Sequence, residues 1–577
     1  MAARVLFLVF ATVLGAPTNA QTDDRDLVGL WQAYKSFGPL VSGPLLIDHE
    51  LTYAEIAGLK VPVRKSGQSI EFHLPSDQGS FRGRVNDNLI KGHWTQPAPL
   101  QVGQKMDSPV LLRKLNDKWW QGHVHPKTSE YTFFLPVTAS ANGLTAYLRN
   151  PDRNLGLFTR IKRIARESQK LSFLGSWGWS REQQELAHGS YNPESDTLTM
   201  TLSPWRGGTY EFSRYTPGTH SSFYARPDSE SDWPYTPPPL LNDGWQVSSL
   251  QDARIDFEPL REMIEEYIET LDDDLHTQRI HGVLIAREGK LVLEEYFHSF
   301  SRNKTHDTRS ASKSVVSVLV GAAMQAGYAI SANTPVYDTL LGPDPDREPR
   351  KQAMVLGDLL TMSSGFYCDD NDSDAPGNEG RLQDQTDEPD WYKYTLALPM
   401  AHEPGEVGIY CSVNSNLIGA VLSKVTGKSL QELVLELAEN LQINHYYLGL
   451  QPTGEVYFGG GAQWLPRDFM KIGQLMLNSG RWQNKQIVDQ NWVIASTSQQ
   501  IQIGDRDYGY QWWVNHYPYK DGTISAFFAA GNGGQIVMGV PALDLVIAFY
   551  GGSYSDGVFF RTQNELIPNF ILRAVKN

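Results

Sequence analysis

The sequence predicts an α+β protein in which an antiparallel sheet and a separate helical region follow a β-rich N-terminal region. Two observations indicate this fold class. From about residue 25 to 240, short segments of alternating polar and apolar residues recur between turn residues, which is typical of β-hairpins. After residue 244 the order becomes a strand pair, a run of helices, a group of strands and a last helix, which predicts an α+β domain.

Hairpin patterns define the N-terminal region, for which we predict the bounds 21–225. Clear examples are SIEFHLP at 69–75 and GSFRGRVNDNLIKGHW at 79–94. A helical patch is predicted at 151–170, which would divide the region into β subdomains at 25–150 and 171–225. Gly-x-Trp triplets, the first at residues 29–31, resemble those of small ligand-binding barrels of the lipocalin kind. A Trp that packs over a strand end is the commoner explanation, and we favour it.

A proline-rich, polar stretch at 226–244 is predicted to be a linker, and the α+β domain occupies 245–577. This domain opens with a helix at 257–270, a strand pair at 280–297 and a strongly apolar helix from about 310 to 327. The remaining predicted helices are 356–362, 414–426, 429–439, 466–479 and 556–574, and the remaining predicted strands are 508–514, 523–530, 535–541 and 545–551.

The first twenty residues predict a signal peptide, because Arg4 precedes an apolar run and small residues follow up to Ala20. We therefore expect a periplasmic or secreted protein, and no later segment has the length of a membrane span. The net charge of −15 argues against nucleic acid or an anionic membrane as a partner. The sequence does not indicate an oligomeric state.

Two Ser-x-x-Lys spacings occur, and only one of them lies in a context that could support catalysis. Ser310 and Lys313 open the apolar helix, where residues three apart share a face and the helix N-terminus favours developing negative charge. Burial there would lower the pKa of Lys313 toward that of a usable base. Ser301 and Lys304 lie in a polar run without helical periodicity, so we discard them. The alternative for Ser310 is a simple helix cap.

Two further segments could complete such a site. Tyr410 precedes a predicted helix and could share a proton with Lys313, although a buried structural tyrosine is the alternative. Residues 529–535, Ala-Ala-Gly-Asn-Gly-Gly-Gln, join two strands. Glycines in a strand indicate close approach of backbone to something, such as a substrate carbonyl that needs an N–H donor. A plain hairpin turn is the alternative for this segment.

The order and context of these three segments resemble the serine β-lactamase, penicillin-binding-protein and family VIII esterase group. Residues 359–365 (LLTMSSG), 416–419 (NLIG), 425–429 (VTGKS) and 459–461 (GGG) resemble other segments of that group. Within that group, the sequence pattern is most similar to the subgroup that contains 6-aminohexanoate-dimer hydrolase. The resemblance covers about residues 243–577, and it implies a β-lactamase/transpeptidase-like antiparallel sheet flanked by helices.

The resemblance implies a role for each matching residue. Ser310 would be the nucleophile, Lys313 its base or proton carrier, and Tyr410 the second general acid/base. The N–H groups of Ser310 and Asn532 would form the oxyanion hole. The neighbouring residues Gly531, Gly533 and Ser412 would line the substrate site. No cofactor is implied.

Two departures from the family pattern bear on the substrate. Ser412 stands where β-lactamases and peptidases usually carry Asn, and Ala529 stands where β-lactamases carry a cation for the substrate carboxylate. Losing one charge-assisted hydrogen bond costs roughly 1.5–3 kcal/mol, which favours a small-molecule ester or amide over a β-lactam. The alternatives are a β-lactamase or D-alanyl-D-alanine carboxypeptidase, and a non-catalytic protein that binds a cell-wall component or another ligand.

The two cysteines, Cys368 and Cys411, could be free buried thiols or a disulfide, which export would permit. In the resembling fold both of their segments line the site, so a Cys368–Cys411 disulfide that rigidifies the Tyr410 loop is implied. No metal site is predicted. His123 and His125 share a strand face without an evident third ligand. The acidic loop 368–374 lacks the Gly and Glu of a calcium loop, so we interpret it as solvated.

Overall fold

The computed structural model describes residues 24–576, apart from positions 38–39, 87, 99–103, 129, 142, 151–158, 178–182, 203–207, 216–221, 227–232, 271–275 and 555. The predicted signal peptide lies outside the described residues, as does part of the predicted linker. Within the part of the chain that is described, no helix is both long enough and apolar enough to cross a membrane.

The N-terminal region is built from strands, as predicted. In chain order they are β1 (Gly29–Ser36), β2 (Gly43–Asp48), β3 (Tyr53–Ile56), β4 (Leu59–Pro62), β5 (Arg64–Ser66), β6 (Ser69–His73), β7 (Ser80–Asn86), β8 (Leu89–Gln96), β9 (Met106–Lys114), β10 (Trp119–Val124), β11 (Glu130–Ser140), β12 (Gly143–Tyr147), β13 (Thr159–Glu167), β14 (Lys170–Trp177), β15 (Gln184–Asn192), β16 (Thr197–Thr201) and β17 (Thr209–Arg214).

Eight of these strands close into a barrel in the order β1-β11-β12-β13-β14-β15-β16-β17, with β17 pairing back onto β1. Its interior is filled by apolar side chains, among them Trp31, Phe133 and Phe173. Trp31 is fully buried at the start of β1, and the Arg214 guanidinium lies 4.0 Å from its ring centroid. A closed barrel leaves no open sheet edge, so the backbone hydrogen bonding of this unit is completed within itself.

The predicted helical patch at 151–170 is wrong over its described part, because residues 159–167 form β13. The strand carries a register shift between Ile161 and Arg163, which is the signature of a β-bulge. The bulge turns both Ile161 and Ile164 toward the barrel interior. Two buried residues three apart therefore imitate helical spacing in the sequence.

Strands β2 to β10 form a second sheet in the order β4-β3-β2-β10-β9-β8-β7-β6-β5, with its own apolar core around Phe72, Trp94 and Leu112. Sheet and barrel are interleaved in the sequence. The barrel contains β1 and β11 to β17, and the sheet contains the strands between them, β2 to β10. The predicted subdomains 25–150 and 171–225 are each continuous and differ from this division.

The C-terminal region from residue 246 combines a sheet with helices, which is the predicted α+β class. Its helices are α1 (Phe257–Glu269), α2 (Lys313–Gln325), α3 (Val336–Leu341), α4 (Pro349–Ala353), α5 (Leu356–Leu360), α6 (Glu379–Asp384), α7 (Trp391–Ala397), α8 (Ser412–Thr426), α9 (Leu430–Asn440), α10 (Pro466–Leu477) and α11 (Gln490–Ser496). A 3₁₀ turn at Arg309–Ser312 leads into α2, and a π-helical segment covers Thr562–Leu572.

Its strands are β18 (Gln246–Val247), β19 (Ile280–Arg287), β20 (Lys290–Tyr296), β21 (His306–Asp307), β22 (Tyr446–Gly449), β23 (Gln463–Trp464), β24 (Arg481–Trp482), β25 (Lys485–Gln486), β26 (Ile501–Ile503), β27 (Arg506–Tyr508), β28 (Trp513–Tyr519), β29 (Gly522–Gly531), β30 (Gln535–Val540) and β31 (Leu545–Gly551). The predicted strand at 508–514 is wrong in part, because the chain leaves β27 at Tyr508 and re-enters the sheet at Trp513.

A nine-stranded sheet forms the middle layer of the C-terminal region, in the order β18-β20-β19-β31-β30-β29-β28-β27-β26. One face packs against α1 and the π-helical segment, and the other packs against α10 and the 3₁₀ turn that leads into α2. Every residue of β19 and of β31 is buried, because helices cover both faces of these central strands. The start of α2 therefore lies against the end of β29, where the candidate residues meet.

The second N-terminal sheet joins the C-terminal region through backbone pairing. Strand β9 pairs antiparallel with β22, with Asp107 opposite Leu448 and Met106 opposite Gly449. Strand β22 pairs in turn with β23, and β23 with β21. We call this junction of β9 with β22 the seam. It makes one hydrogen-bonded sheet that runs from the N-terminal region to His306 and Asp307.

Candidate active site

Ser310 and Lys313 lie on one face of the turn that opens α2. In a 3₁₀ helix residues three apart are eclipsed, so the turn at residues 309–312 aligns the two side chains. The Lys313 Nζ donates to Ser310 Oγ at 2.9 Å and also donates to the carbonyl oxygen of Gly459. Lys313 is buried, with 1% of its surface exposed, whereas Ser310 is partly open to solvent. The predicted Ser–Lys pair is therefore formed.

The charge state of Lys313 differs from the prediction. Burial by itself lowers the pKa of the Lys313 amine, but Tyr410 and the carboxylates of Glu379 and Asp370 outweigh burial and raise this pKa above its ordinary value. The predicted lowering of the Lys313 pKa is wrong, because it considered burial and not the carboxylates. Lys313 is an ammonium that donates to Ser310.

Close backbone packing fixes the turn that carries Ser310. Arg309 has a φ of +48°, a left-handed conformation that is costly for a residue with a side chain. Gly531 at the end of β29 lies so close to this turn that a Cβ atom there would come within 2.3 Å of the Thr308 carbonyl oxygen. Only glycine permits this approach of β29 to the turn. The segment 531–534 at the end of β29 is therefore packed closely against the residues that flank Ser310.

Tyr410 lies on the other side of Lys313. The Lys313 Nζ is 5.1 Å from the centroid of the Tyr410 ring, which stacks on Trp513 with centroids 5.7 Å apart. The segment 359–365 supports this loop, since the Met362 carbonyl accepts a hydrogen bond from the Ile409 N–H at 2.8 Å. Tyr410 is partly exposed, so its ring faces the open side of the site. The structure thus brings all three predicted catalytic residues together around Lys313.

A disulfide joins Cys368 to Cys411, which confirms the predicted pairing. It ties the loop at 368–378 to the residue that follows Tyr410. Next to the disulfide, the Asp370 N–H donates to the Tyr410 carbonyl at 3.1 Å. The Tyr410 loop is therefore held both by a covalent bond and by backbone pairing.

Ser412, predicted to line the substrate site, is fully buried. Its hydroxyl donates to Asp370 Oδ2 at 2.7 Å, and its backbone N–H donates to the same oxygen at 2.9 Å. Ser412 begins α8, so these bonds hold the helix start and not an exposed ligand site. The Ser412 hydroxyl is thus engaged by Asp370, and its place in the substrate site stays a prediction.

The predicted oxyanion segment forms the turn between β29 and β30. Asn532 is exposed, while Gly531 and Gly533 on either side of it are buried. Gly533 has a φ of +95°, and a Cβ atom there would come within 2.5 Å of the Tyr554 ring. The turn is therefore placed beside Ser310, and the assignment of the Ser310 and Asn532 N–H groups to the oxyanion hole stays a prediction.

Two acidic residues of the site, Asp370 and Glu379, are not among the site residues that the sequence predicts. The loop that carries Asp370 is predicted to be solvated, yet burial together with the Glu379 carboxylate raises the pKa of Asp370 to about 6. Glu379 accepts a hydrogen bond from the Tyr457 hydroxyl at 2.6 Å. The position of Asp370 two residues after Cys368 was the available signal, because the disulfide brings that stretch to Tyr410.

The discarded Ser-x-x-Lys pair lies on a turn in which the Lys304 N–H donates to the Ser301 carbonyl at 3.1 Å. Ser301 is exposed, and the Lys304 Nζ lies 4.3 Å from the Phe300 ring centroid. His123 and His125 stack with their ring centroids 4.3 Å apart. Across the described residues, no group of three or more His, Cys, Asp or Glu side chains is placed to hold a metal ion.

Known proteins are similar to parts of this chain in sequence or in structure. A curated 6-aminohexanoate-dimer hydrolase of Paenarthrobacter ureafaciens is 25% identical over 265 residues, which cover 42% of this chain and 66% of that protein. The chain thus spans just under two thirds of that relative. Among solved structures, a family VIII carboxylesterase is 17% identical with a TM-score of 0.42, over 57% of this chain and 98% of the other. A penicillin-binding-protein homologue from Caulobacter crescentus is 14% identical with a TM-score of 0.42, over 54% and 96%.

The family model named Beta-lactamase matches residues 260–567, which include Ser310, Lys313, Tyr410 and the segment 531–534. The match begins within α1 and ends within the π-helical segment, so it spans the nine-stranded sheet apart from β18 together with the helices on both of its faces. It leaves out the barrel and the second N-terminal sheet. Because the match covers more than half of the 577 residues, this chain belongs to the Beta-lactamase family of hydrolases.

Proposed function

We propose that the chain is an exported serine hydrolase that cleaves an ester or amide bond of a small molecule through an acyl-enzyme on Ser310. The observation that carries this proposal is the hydrogen bond of 2.9 Å from the buried Lys313 Nζ to Ser310 Oγ. A buried lysine that contacts a partly open serine hydroxyl is the arrangement of an activated nucleophile. The apolar run at the N-terminus supports export.

The first half-reaction begins with attack of Ser310 Oγ on the substrate carbonyl carbon. Because Lys313 already holds its proton, the hydroxyl proton passes to the Tyr410 oxygen, which releases its own proton toward the leaving group, while the Lys313 ammonium stabilises the negative charge that develops between them. The carbonyl oxygen gains charge and accepts hydrogen bonds from the N–H groups of Ser310 and Asn532. Tyr410 then gives its proton to the leaving alcohol or amine as the carbonyl–heteroatom bond breaks.

The second half-reaction reverses these roles with water. Tyr410 accepts a proton from a water molecule, which attacks the acyl carbon, and Ser310 Oγ leaves and recovers a proton. The products are a carboxylic acid and the free serine. This cycle uses no group other than the three side chains and the two N–H donors.

The charges around the site favour substrates without a carboxylate next to the scissile bond. Ala529 is buried on β29 where β-lactamases carry a cation, and the carboxylates of Asp370 and Glu379 add negative charge near Lys313. A β-lactam or D-alanyl carboxylate would lack the cation that β-lactamases place at that position. We therefore expect a short p-nitrophenyl ester to be hydrolysed faster than a chromogenic cephalosporin.

The decisive experiment is covalent labelling with a fluorophosphonate. We expect the label on the peptide that carries Ser310, and Ser310→Ala should lose both the label and ester hydrolysis, with kcat lower by on the order of 10⁴-fold or more. Ser301→Ala is the matched control, because Ser301 has the same spacing to a lysine on an exposed loop. Labelling that persists in Ser310→Ala would contradict the mechanism, and an unlabelled parent protein would favour a non-catalytic binding role.

A further inference from the structure

Two short segments lie side by side next to the candidate catalytic residues. Residues 368–370 and 410–412 are joined by the disulfide of Cys368 and Cys411 and by hydrogen bonds on both sides of it. We call this arrangement the clamp. The clamp lies beside the candidate catalytic residues, because it contains Tyr410 and the Lys313 Nζ lies next to the Tyr410 ring.

Asp370 contributes every hydrogen bond of the clamp that reaches across to 410–412. Its N–H donates to the Tyr410 carbonyl at 3.1 Å, and its Oδ2 accepts from the Ser412 N–H at 2.9 Å and the Ser412 hydroxyl at 2.7 Å. Its Oδ1 accepts from the Glu379 N–H at 3.1 Å. One residue therefore fixes the backbone both before and after Cys411.

The same carboxylate caps α8 from outside the helix. The first N–H groups of a helix lack partners within it, and a carboxylate near them is favoured by the helix dipole. The residue at the N-cap position of α8, Cys411, makes no side-chain cap bond, because its sulfur is in the disulfide. Asp370 supplies the missing acceptor, so the direction in which α8 begins depends on this carboxylate.

We propose that Asp370 is a positioning residue for the reaction: its carboxylate, held at the start of α8, fixes Tyr410 beside Lys313. The proposal rests on the proposed function, since it requires Tyr410 to move protons for Ser310. Asp370 does not itself touch the substrate. It acts through the backbone of residues 410–412.

Charged and titratable groups from several elements face Asp370. Lys313 from α2 attracts its charge, Ser412 from α8 donates to it, and Glu379 from α6 repels it. Tyr457 donates to the Glu379 carboxylate and so belongs to the same group. Burial and Glu379 prevail, and they raise the pKa of Asp370 to about 6. The carboxylate therefore becomes protonated within an experimentally accessible range of pH.

Protonation of Asp370 affects activity and stability in opposite directions. Below about pH 6 the neutral group is a weaker acceptor for Ser412, so Tyr410 is held less firmly and kcat falls. For stability, the folded pKa lies above the ordinary value, so the folded state binds the proton more tightly and the contribution of Asp370 to stability rises as pH falls from about 6 to 4. A merely structural role would make activity and stability change together.

The experiment compares Asp370→Asn with Asp374→Asn, a control on the same loop whose side chain is 88% exposed. Initial rates of ester hydrolysis and of fluorophosphonate labelling at Ser310 are measured between pH 4.5 and 8. We expect Asp370→Asn to lower kcat by about 10–100-fold with KM within about twofold, and to lose the fall in rate below about pH 6. Asp374→Asn should match the parent in every measurement.

A second variant and a second measurement cover the case in which Asp370→Asn folds poorly. Ser412→Ala removes one donor to Asp370 and should lower kcat in the same direction by a smaller factor. Hydrogen exchange of the peptide spanning 408–416 should be faster in both variants than in Asp374→Asn.

The outcomes separate this proposal from the proposed function. A parent that labels on Ser310 together with an Asp370→Asn variant of unchanged kcat and pH profile would overturn the role of Asp370 and leave the function standing. A parallel loss of activity and thermal stability in the parent below pH 6 would likewise overturn the role of Asp370 and leave the function standing. No label on Ser310 in the parent would overturn both.

Discussion

The two β units of the N-terminal region are attached to the hydrolase domain, residues 245–576, in different ways. The barrel closes its own hydrogen bonding and contacts the hydrolase domain through side chains, such as the bond of 3.1 Å from Arg279 to the Tyr147 hydroxyl. The second sheet shares backbone pairing across the seam of β9 and β22. The comparison teaches that nearness in sequence does not decide which unit belongs to the catalytic domain. The backbone hydrogen bonds across the seam make the second sheet part of the catalytic domain.

The largest difference between the two junctions should appear when one backbone N–H donor is removed from each of them. The Leu450 N–H donates across the seam to the Lys105 carbonyl at 3.0 Å, and the Tyr215 N–H donates to Leu30 at 2.9 Å where the barrel closes. Leu450→Pro should lower the free energy of unfolding of the hydrolase domain by about 3 kcal/mol or more and reduce ester hydrolysis. Tyr215→Pro should destabilise the barrel and leave kcat/KM within about twofold.

Denaturant titrations followed by both circular dichroism and enzymatic rate would measure these effects. Leu450→Met is the control, because it keeps the N–H and nearly the same volume and should cost less than about 1.5 kcal/mol. Equal loss of activity in the two proline variants would show that the barrel is as much a part of the catalytic domain as the second sheet.

A smaller effect should appear at Asp107, a buried residue of β9 at the seam. It accepts hydrogen bonds from Thr95 at 2.5 Å and from Gln431 of α9 at 3.1 Å. Burial raises the pKa of the Asp107 carboxyl to about 6. The folded pKa lies above the ordinary value, so the stability that Asp107 contributes is full at low pH and is lost as pH rises through about 6.

Urea titrations of the parent and Asp107→Asn at several pH values would test this expectation. The difference in free energy of unfolding, parent minus variant, should fall by about 3 kcal/mol between pH 3.5 and 7, because about two pKa units separate the folded and unfolded carboxyl. A difference that does not change with pH would mean that water reaches Asp107, and the seam would then be a looser contact than the shared backbone suggests.

The smallest effect is expected from the ion pairs between the second sheet and α9. Arg84 lies 2.9 Å from Glu432, with 51% and 29% of their side chains exposed. Solvent screens such a pair, so Arg84→Gln should change the free energy of unfolding by less than about 1 kcal/mol, and added salt should reduce the difference further. A larger, salt-sensitive loss would mean that charge and not backbone pairing holds the second sheet in place.

The sequence was most informative where function depends on local spacing. The pairing of Ser310 with Lys313 follows from a three-residue spacing at a helix start, and the arrangement of the later strands follows from apolar runs between turns. The disulfide followed from the family resemblance, which placed both cysteine segments at the site. These features depend on short stretches of chain or on motifs with a known spatial order.

Features decided by long-range packing could not be predicted from the sequence. Strand β22 has only four residues, all buried, so it shows no alternation that would indicate its pairing with β9. The bulge in β13 imitated helical spacing. The pKa of Lys313 depends on Asp370 and Glu379, which reach it through a loop about sixty residues further along the chain.

The seam also imposes an order in time on folding. Strand β9 is synthesised more than 300 residues before β22, so the part of its edge at Met106 and Asp107 waits without its partner while the intervening chain emerges. At roughly 5–20 residues per second that wait lasts tens of seconds, which is long compared with the formation of a hairpin. An unpaired strand edge can recruit a strand of another molecule during this time. The barrel waits for a shorter time, because its strands are complete by residue 214.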